Sequence, residues 1–168
     1  MSQSGWSLNN FDARVQEWVD ANIPHDARIL DAGAGAGKYS WLLRPTHPHI
    51  EALDIFPKSV LEYDLFNKYE KVHIADIREF DVSGYYLVIM GDLLEHLSVA
   101  DALGVLARIR CKCLVAVPYL YIQGPLSGND AETHLQPDLT QEVMAQRYPM
   151  LRALFTDSQM GVYLKDAT

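Results

Sequence analysis

The run Arg28-Ile29-Leu30-Asp31-Ala32-Gly33-Ala34-Gly35-Ala36-Gly37-Lys38-Tyr39-Ser40 limits what this chain can fold into more than any other feature. An apolar stretch ends on a carboxylate and breaks into alternating glycines, which predicts a buried strand, a tight turn and a helix start. Gly33 and Gly35 lack a Cβ, so the backbone there can take positive φ and lie directly against a ligand. The first N–H groups of the following helix have no partner inside it and are free to meet an anionic group. Together these features predict a site for a nucleotide-like molecule.

The remaining pattern alternates helix and strand. Apolar residues Phe11, Val15, Trp18 and Val19 recur at helical spacing over 11–21, with Asn9 or Asn10 as cap and Pro24 beyond the end. Strands are expected over 27–32, 50–55, 71–75, 86–90 and 113–117, and helices over 38–43, 58–69 and 99–109. Only residues 78–84 separate the third and fourth strands, so that crossover must be abbreviated. Residues 119–137, rich in Gly, Pro, Asn and Asp, form the longest loop, and long loops in compact domains are commonly functional. A helix over 138–147 and strands over 151–156 and 160–165, turning at Asp157-Ser158, end the chain as an antiparallel hairpin. Such alternation predicts a mostly parallel α/β sheet with helices on both faces.

Composition narrows the partners. With 14 Lys and Arg against 22 Asp and Glu, the net charge is −8, and no basic cluster offers phosphate contacts to a nucleic acid. The two cysteines, Cys111 and Cys113, point the same way if both lie on a strand, and such sparse usage fits a reducing compartment. Residues 1–6 show neither the basic region nor the apolar core of a leader, and no segment approaches the ~20 apolar residues of a membrane span. A cytoplasmic protein without membrane contact is expected. His47-Pro48-His49 has no Cys or carboxylate at ligand spacing nearby, so no metal is expected.

The glycine spacing separates two kinds of cofactor loop. Dinucleotide binders use G-x-G-x-x-G, which here would need glycine or alanine at Lys38 or Ser40, and neither register fits. The actual pattern, Asp31-x-Gly33-x-Gly35-x-Gly37, resembles the first motif of the class I S-adenosylmethionine-dependent methyltransferases. Acidic residues recur where that family has them: Asp54 seventeen residues after Gly37, Asp76 in His73-Ile74-Ala75-Asp76-Ile77, and Asp92 in Gly91-Asp92-Leu93-Leu94-Glu95-His96-Leu97. The last segment is similar to the family's fourth motif in the branch with a Leu-Glu-His triplet, which acts mainly on small molecules and some proteins.

The resemblance spans residues 29–118 and implies a single-domain Rossmann-like fold with seven strands. It divides the chain into an N-terminal helical segment (1–26), a cofactor-binding core (27–118) and a substrate-side loop, helix and hairpin (119–168). By the same resemblance S-adenosylmethionine is the cofactor and Asp54 holds its ribose diol. Asp76 accepts from the adenine amino group, with Ile55 and Ile77 against the ring. Gly33 and Gly35 pass under the methionine, Asp31 sits below its amino-acid end, and Asp92 and Leu93 line the fourth-strand side.

Methyl transfer from a sulfonium is an in-line displacement, so positioning supplies much of the catalysis. A protonated nucleophile also gains from a general base, and His96 and His134 are the candidates. Tyr119 and Tyr121 either line the acceptor pocket or pack. Nucleic-acid acceptors lose support because Asp92-Leu93-Leu94-Glu95 replaces the Pro-Pro-aromatic of amino-methylating DNA enzymes, and no Pro-Cys stands after the fourth strand. A small-molecule or protein acceptor is expected, covered by the 119–137 loop, the N-terminal segment or a second subunit of a homodimer. Two rival functions share the fold: a non-catalytic cofactor-binding module acting through a partner, and an aminopropyltransferase whose polyamine would meet Asp92 and Glu95.

Overall fold

A computed structural model describes residues 8–125 and 129–168. The leader-like features sought over residues 1–6, and residues 126–128 of the long loop, lie outside the described residues. In order along the chain come α1 (Asp12–Asn22), β1 (Ile29–Ala32), α2 (Lys38–Leu43), β2 (Ile50–Asp54), α3 (Pro57–Glu62) and α4 (Leu65–Lys68). Then follow β3 (Lys71–Ile74), β4 (Leu87–Gly91), α5 (Val99–Arg108), β5 (Lys112–Pro118), α6 (Gln141–Arg147), β6 (Arg152–Thr156) and β7 (Met160–Lys165).

The strands form one seven-stranded sheet in the order β3-β2-β1-β4-β5-β7-β6. All neighbours pair in parallel except β7, which runs antiparallel to β5 and β6 and makes the expected hairpin. β1, β2 and β4 are buried at every position, and their sequences are mostly apolar, broken only by Asp31 in β1 and by Glu51 and Asp54 in β2. Apolar clusters cover both faces. Val15 and Val19 of α1, Leu42 and Leu43 of α2 and Leu65 of α4 pack on one face, with Leu106 of α5 and Met144 and Tyr148 at α6 on the other. The chain winds from β1 to β2 and β3 in one direction, then returns to β4 and β5 on the other side of β1. In such a sheet a crevice opens at the strand ends where the order reverses.

Local chemistry corrects several expectations. Neither Asn9 nor Asn10 caps α1 through its side chain: Phe11 occupies the N-cap, the Asp12 amide donates to the Asn9 carbonyl, and the Asn10 side chain donates to Asp157 and Gln159. The helix expected over 58–69 is two short helices, because Asp64 adopts φ +52 between them. Its carboxylate accepts from the Asn67 side chain, the local bonding that lets Asp tolerate this conformation. α6 begins three residues later than expected, where the Thr140 hydroxyl accepts from the Val143 amide. Between β3 and β4 no helix forms, as the spacing requires. Cys113 lies buried on β5 while Cys111 precedes the strand, and both are free thiols. No helix among the described residues is long and apolar enough to cross a membrane.

Candidate active site

The turn after β1 is built as the glycines demand. Gly33, Gly35 and Gly37 have φ of +76, +50 and +85, a region that disfavours side chains. Gly37 ends the turn as the N-cap of α2, so the helix starts without a side-chain cap. The Asp54 carboxylate, at the end of β2, accepts from the Gly35 amide at 3.0 Å and the Phe56 amide at 2.9 Å, and so ties the turn to the neighbouring strand. Burial pushes its carboxyl up, and these two amides pull against that rise. Each Asp54 oxygen carries a further lone pair beyond the one these amides use.

A cavity of about 880 Å³ opens above these strand ends. Gly33, Gly35, Asp54, Ile55, Asp76, Ile77, Asp92, Leu93, His96 and His134 all line it. Asp31 does not: it is 1% exposed beneath the turn, where its carboxylate accepts from the Tyr69 hydroxyl. Burial raises its carboxyl to about 7, opposed by Tyr69 and Lys38. Asp76 lines the cavity but is engaged by Arg78, whose Nε donates to both of its oxygens and whose Nη2 donates to Oδ2, holding its pKa down. An amino group arriving at Asp76 shares it with that guanidinium.

The far wall comes from the loop after β5. Tyr121, Gln123, Asn129 and residues 130–135 close over Glu95 and His96. The Leu135 and Gln136 amides donate to the Glu95 carbonyl, and the Gln136 side chain donates to the Leu94 and Leu97 carbonyls, so the loop is fastened to the segment after β4. Asp92 has φ +52, an uncommon conformation for aspartate that aims this segment at the cavity.

His96 and His134 meet edge to face, with ring centroids 4.6 Å apart. His96 Nδ1 lies 3.3 Å from the Thr133 carbonyl and His134 Nδ1 lies 2.8 Å from the Tyr121 carbonyl. A carbonyl only accepts, so each Nδ1 carries the hydrogen and each Nε2 keeps its lone pair when the ring is neutral. Burial, helped by His134, lowers His96 to about 4 against the pull of the Thr133 and Glu132 carbonyls. Burial also lowers His134. Glu95, 1% exposed, is pushed well up by burial and by Asp92 beside it.

The His47 environment also departs from expectation. Asp20 and His25 come together with His47, although nothing in the sequence places them near it. Both His47 ring nitrogens are already engaged there, by the Ile23 carbonyl and the Thr46 hydroxyl, while His49 points away to Glu70.

Several cavity residues were outside sequence reasoning. Lys38, Tyr39, Gln123, Asn129 and Glu132 all line it, and Arg78 guards Asp76. Glu132, two residues before His134 in a loop already suspected of function, carried the one usable signal.

This strand order is that of the Rossmann-like fold found in class I methyltransferases. Neither a family model nor a curated protein sequence matches the chain. Among solved structures, it is similar to magnesium protoporphyrin IX methyltransferase from Synechocystis PCC 6803 with bound S-adenosylmethionine. That match has a TM-score of 0.65 at 15% identity and covers 93% of this chain and 77% of the other. An amino pentose methyltransferase from Micromonospora echinaspora, also bound to S-adenosylmethionine, gives 0.64 at 16% identity over 96% and 92% of the two chains. The 1,6-didemethyltoxoflavin-N1-methyltransferase from Burkholderia thailandensis, holding its substrate and S-adenosylhomocysteine, gives 0.65 at 16% identity over 95% and 79%.

Proposed function

We propose that this chain is an S-adenosylmethionine-dependent methyltransferase acting on a small-molecule acceptor. The observation that carries this reading is the Asp54 carboxylate, buried at a strand end, tied to the glycine turn and with unused lone pairs on a large cavity. A cofactor with a diol and an extended thioether chain fits such a site. Asp54 would bind the ribose hydroxyls, Ile55 and Ile77 would hold the adenine, and Asp76 would accept from its amino group beside Arg78. Gly33 and Gly35 leave room for the methionine portion, and Asp31 acts on it through the field beneath the turn rather than by contact. Asp92 and Leu93 form the wall nearest the β4 end.

When bound, S-adenosylmethionine supplies a methyl group on a sulfonium. The residues of the chain then have to hold the acceptor in line and dispose of its proton. The lone pairs of His96 and His134 Nε2 are the bases at that end, and residues 129–135 of the long loop wall it. An acceptor enclosed beneath that loop is small, and the similar structures are named for acceptors of that kind. In domain terms, 27–118 serves the cofactor and 119–168 the acceptor.

Calorimetric titration with S-adenosylmethionine, S-adenosylhomocysteine and NAD tests the reading. Micromolar binding of the first two and none of NAD is expected. Binding of NAD alone, or of none of the three, would overturn it.

A further inference from the structure

Glu95 is an anomaly for a purely organic site. It is 1% exposed, and both of its carboxylate oxygens are buried without a hydrogen-bond partner. A buried carboxylate left this way carries its full desolvation penalty, so the fold retains it against a clear physical preference. Its neighbours explain what it can serve. One ligand atom each from Glu95, His96 and His134 lies within 4.8 Å of the others. Ligand atoms around one ion bound at ~2.0–2.2 Å stand roughly 3–4 Å apart, so the set is close to closure as it stands.

The histidines are prepared in the manner of metal ligands. Each donates Nδ1–H to a backbone carbonyl, Thr133 for His96 and Tyr121 for His134, which fixes the ring and leaves Nε2 as a donor of electrons. The edge-to-face packing of the rings holds the pair in one arrangement. We propose that Glu95, His96 and His134 bind a divalent transition-metal cation whose open positions receive a hydroxyl oxygen of the methyl acceptor. Two imidazoles and one carboxylate favour ions of the zinc or cobalt type over magnesium or calcium, which prefer all-oxygen sets. Three protein ligands leave positions on the cavity side, as in sites that hold substrate oxygen.

The acceptor half of this proposal rests on the methyltransferase reading above. With the cation bound, the Nε2 lone pairs serve as its ligands in place of acting as bases, and the cation lowers the pKa of the bound hydroxyl, whose proton passes to water. The oxygen then forms the O–CH₃ bond as the S–CH₃ bond breaks, and the sulfur keeps that electron pair as a neutral thioether. An acceptor with two adjacent hydroxyls, able to chelate, suits the open positions best.

Cobalt(II) chloride titrated into chelator-stripped protein reads the site through visible ligand-field absorption, with S-adenosylhomocysteine binding measured in parallel. One cobalt per chain is expected, displaced by zinc and not by magnesium. Glu95→Gln and His134→Asn should each weaken cobalt by at least ~10-fold, which even an outer partner of a ligand is worth. His134 lies in a loop outside the sheet, so its variant keeps the test decisive if Glu95→Gln fails to fold. No cobalt or zinc binding by protein that binds S-adenosylhomocysteine, or equal cobalt affinity in both variants, would overturn the cation site. Cobalt binding without any S-adenosylhomocysteine binding would support the cation site and overturn the methyltransferase reading instead. Addition of 1,2-dihydroxybenzene should shift the cobalt bands, and unshifted bands would overturn the acceptor role.

Discussion

Asp31 and Asp54 stand at the ends of adjacent strands and are built for different work. Asp54 faces the cavity and holds the turn through two amides, so its loss should strike cofactor affinity directly. Hydrogen bonds to charged groups contribute roughly 1.5–3 kcal/mol. Asp54→Ala should therefore weaken S-adenosylhomocysteine by at least about 10-fold in calorimetry, and undiminished affinity would remove Asp54 from the site. Asp31 acts by being buried. Its carboxyl rises from 3.8 to about 7 in the fold, so the folded chain keeps a proton that the unfolded chain releases across that interval. Stability therefore declines as pH rises from about 3.8 to about 7, and is flat above. Asp31→Asn lacks that decline. Its denaturant-measured stability relative to the parent should improve by about 2–4 kcal/mol between pH 5 and pH 8. An unchanged difference would place Asp31 at an ordinary pKa.

At the level of elements, α2 depends on the glycine that starts it. Gly37 has φ +85, and a Cβ there would meet the Lys68 side chain at 3.0 Å and Leu65 at 3.3 Å. Gly37→Ala should destabilise the fold by about 2 kcal/mol or more, from left-handed strain and crowding together, and a denaturation curve coincident with the parent's would refute this. Gly37 belongs to the part of the molecule that the chain announces. β1, β2, β4 and β5 were legible because strands buried on both faces are mostly apolar runs, and the acidic residues were legible because they fall at or just beyond strand ends. The break at Asp64 was not, because helical periodicity continues through it and only the bond to Asn67 permits the turn. The engagement of Asp76 by Arg78 follows from a rotamer, which no spacing encodes. The meeting of Glu95 and His96 with His134 is the largest omission. It depends on a loop without periodicity, fastened back by Gln136 to the carbonyls of Leu94 and Leu97.

Across the whole molecule, the cavity end of the sheet and its opposite end respond to acid in opposite directions. At the end away from the cavity, Glu51 on β2 gathers Arg28 from before β1, His73 from β3 and Tyr85 from before β4. Burial alone would raise its carboxyl, but hydrogen bonds from His73, Tyr85 and Arg28 take it from 4.5 down to about 2. The stability this network contributes is therefore complete above about 4.5 and is lost as pH falls towards about 2. Asp31 works the other way, stabilising the fold as pH falls from about 7. The net charge of −8 at pH 7 adds to that trend, since mild acid relieves self-repulsion. These opposed effects place maximal stability at about pH 4, where the two titration windows overlap. A thermal-melting series from pH 3 to pH 8 should pass through a maximum there, and Glu51→Gln should flatten its acid limb while leaving the decline above pH 5 in place. A parent whose melting temperature climbs steadily to pH 8 would mean that ion pairs of the Glu51 kind govern the whole curve and that the carboxylate under the glycine turn is already ionised.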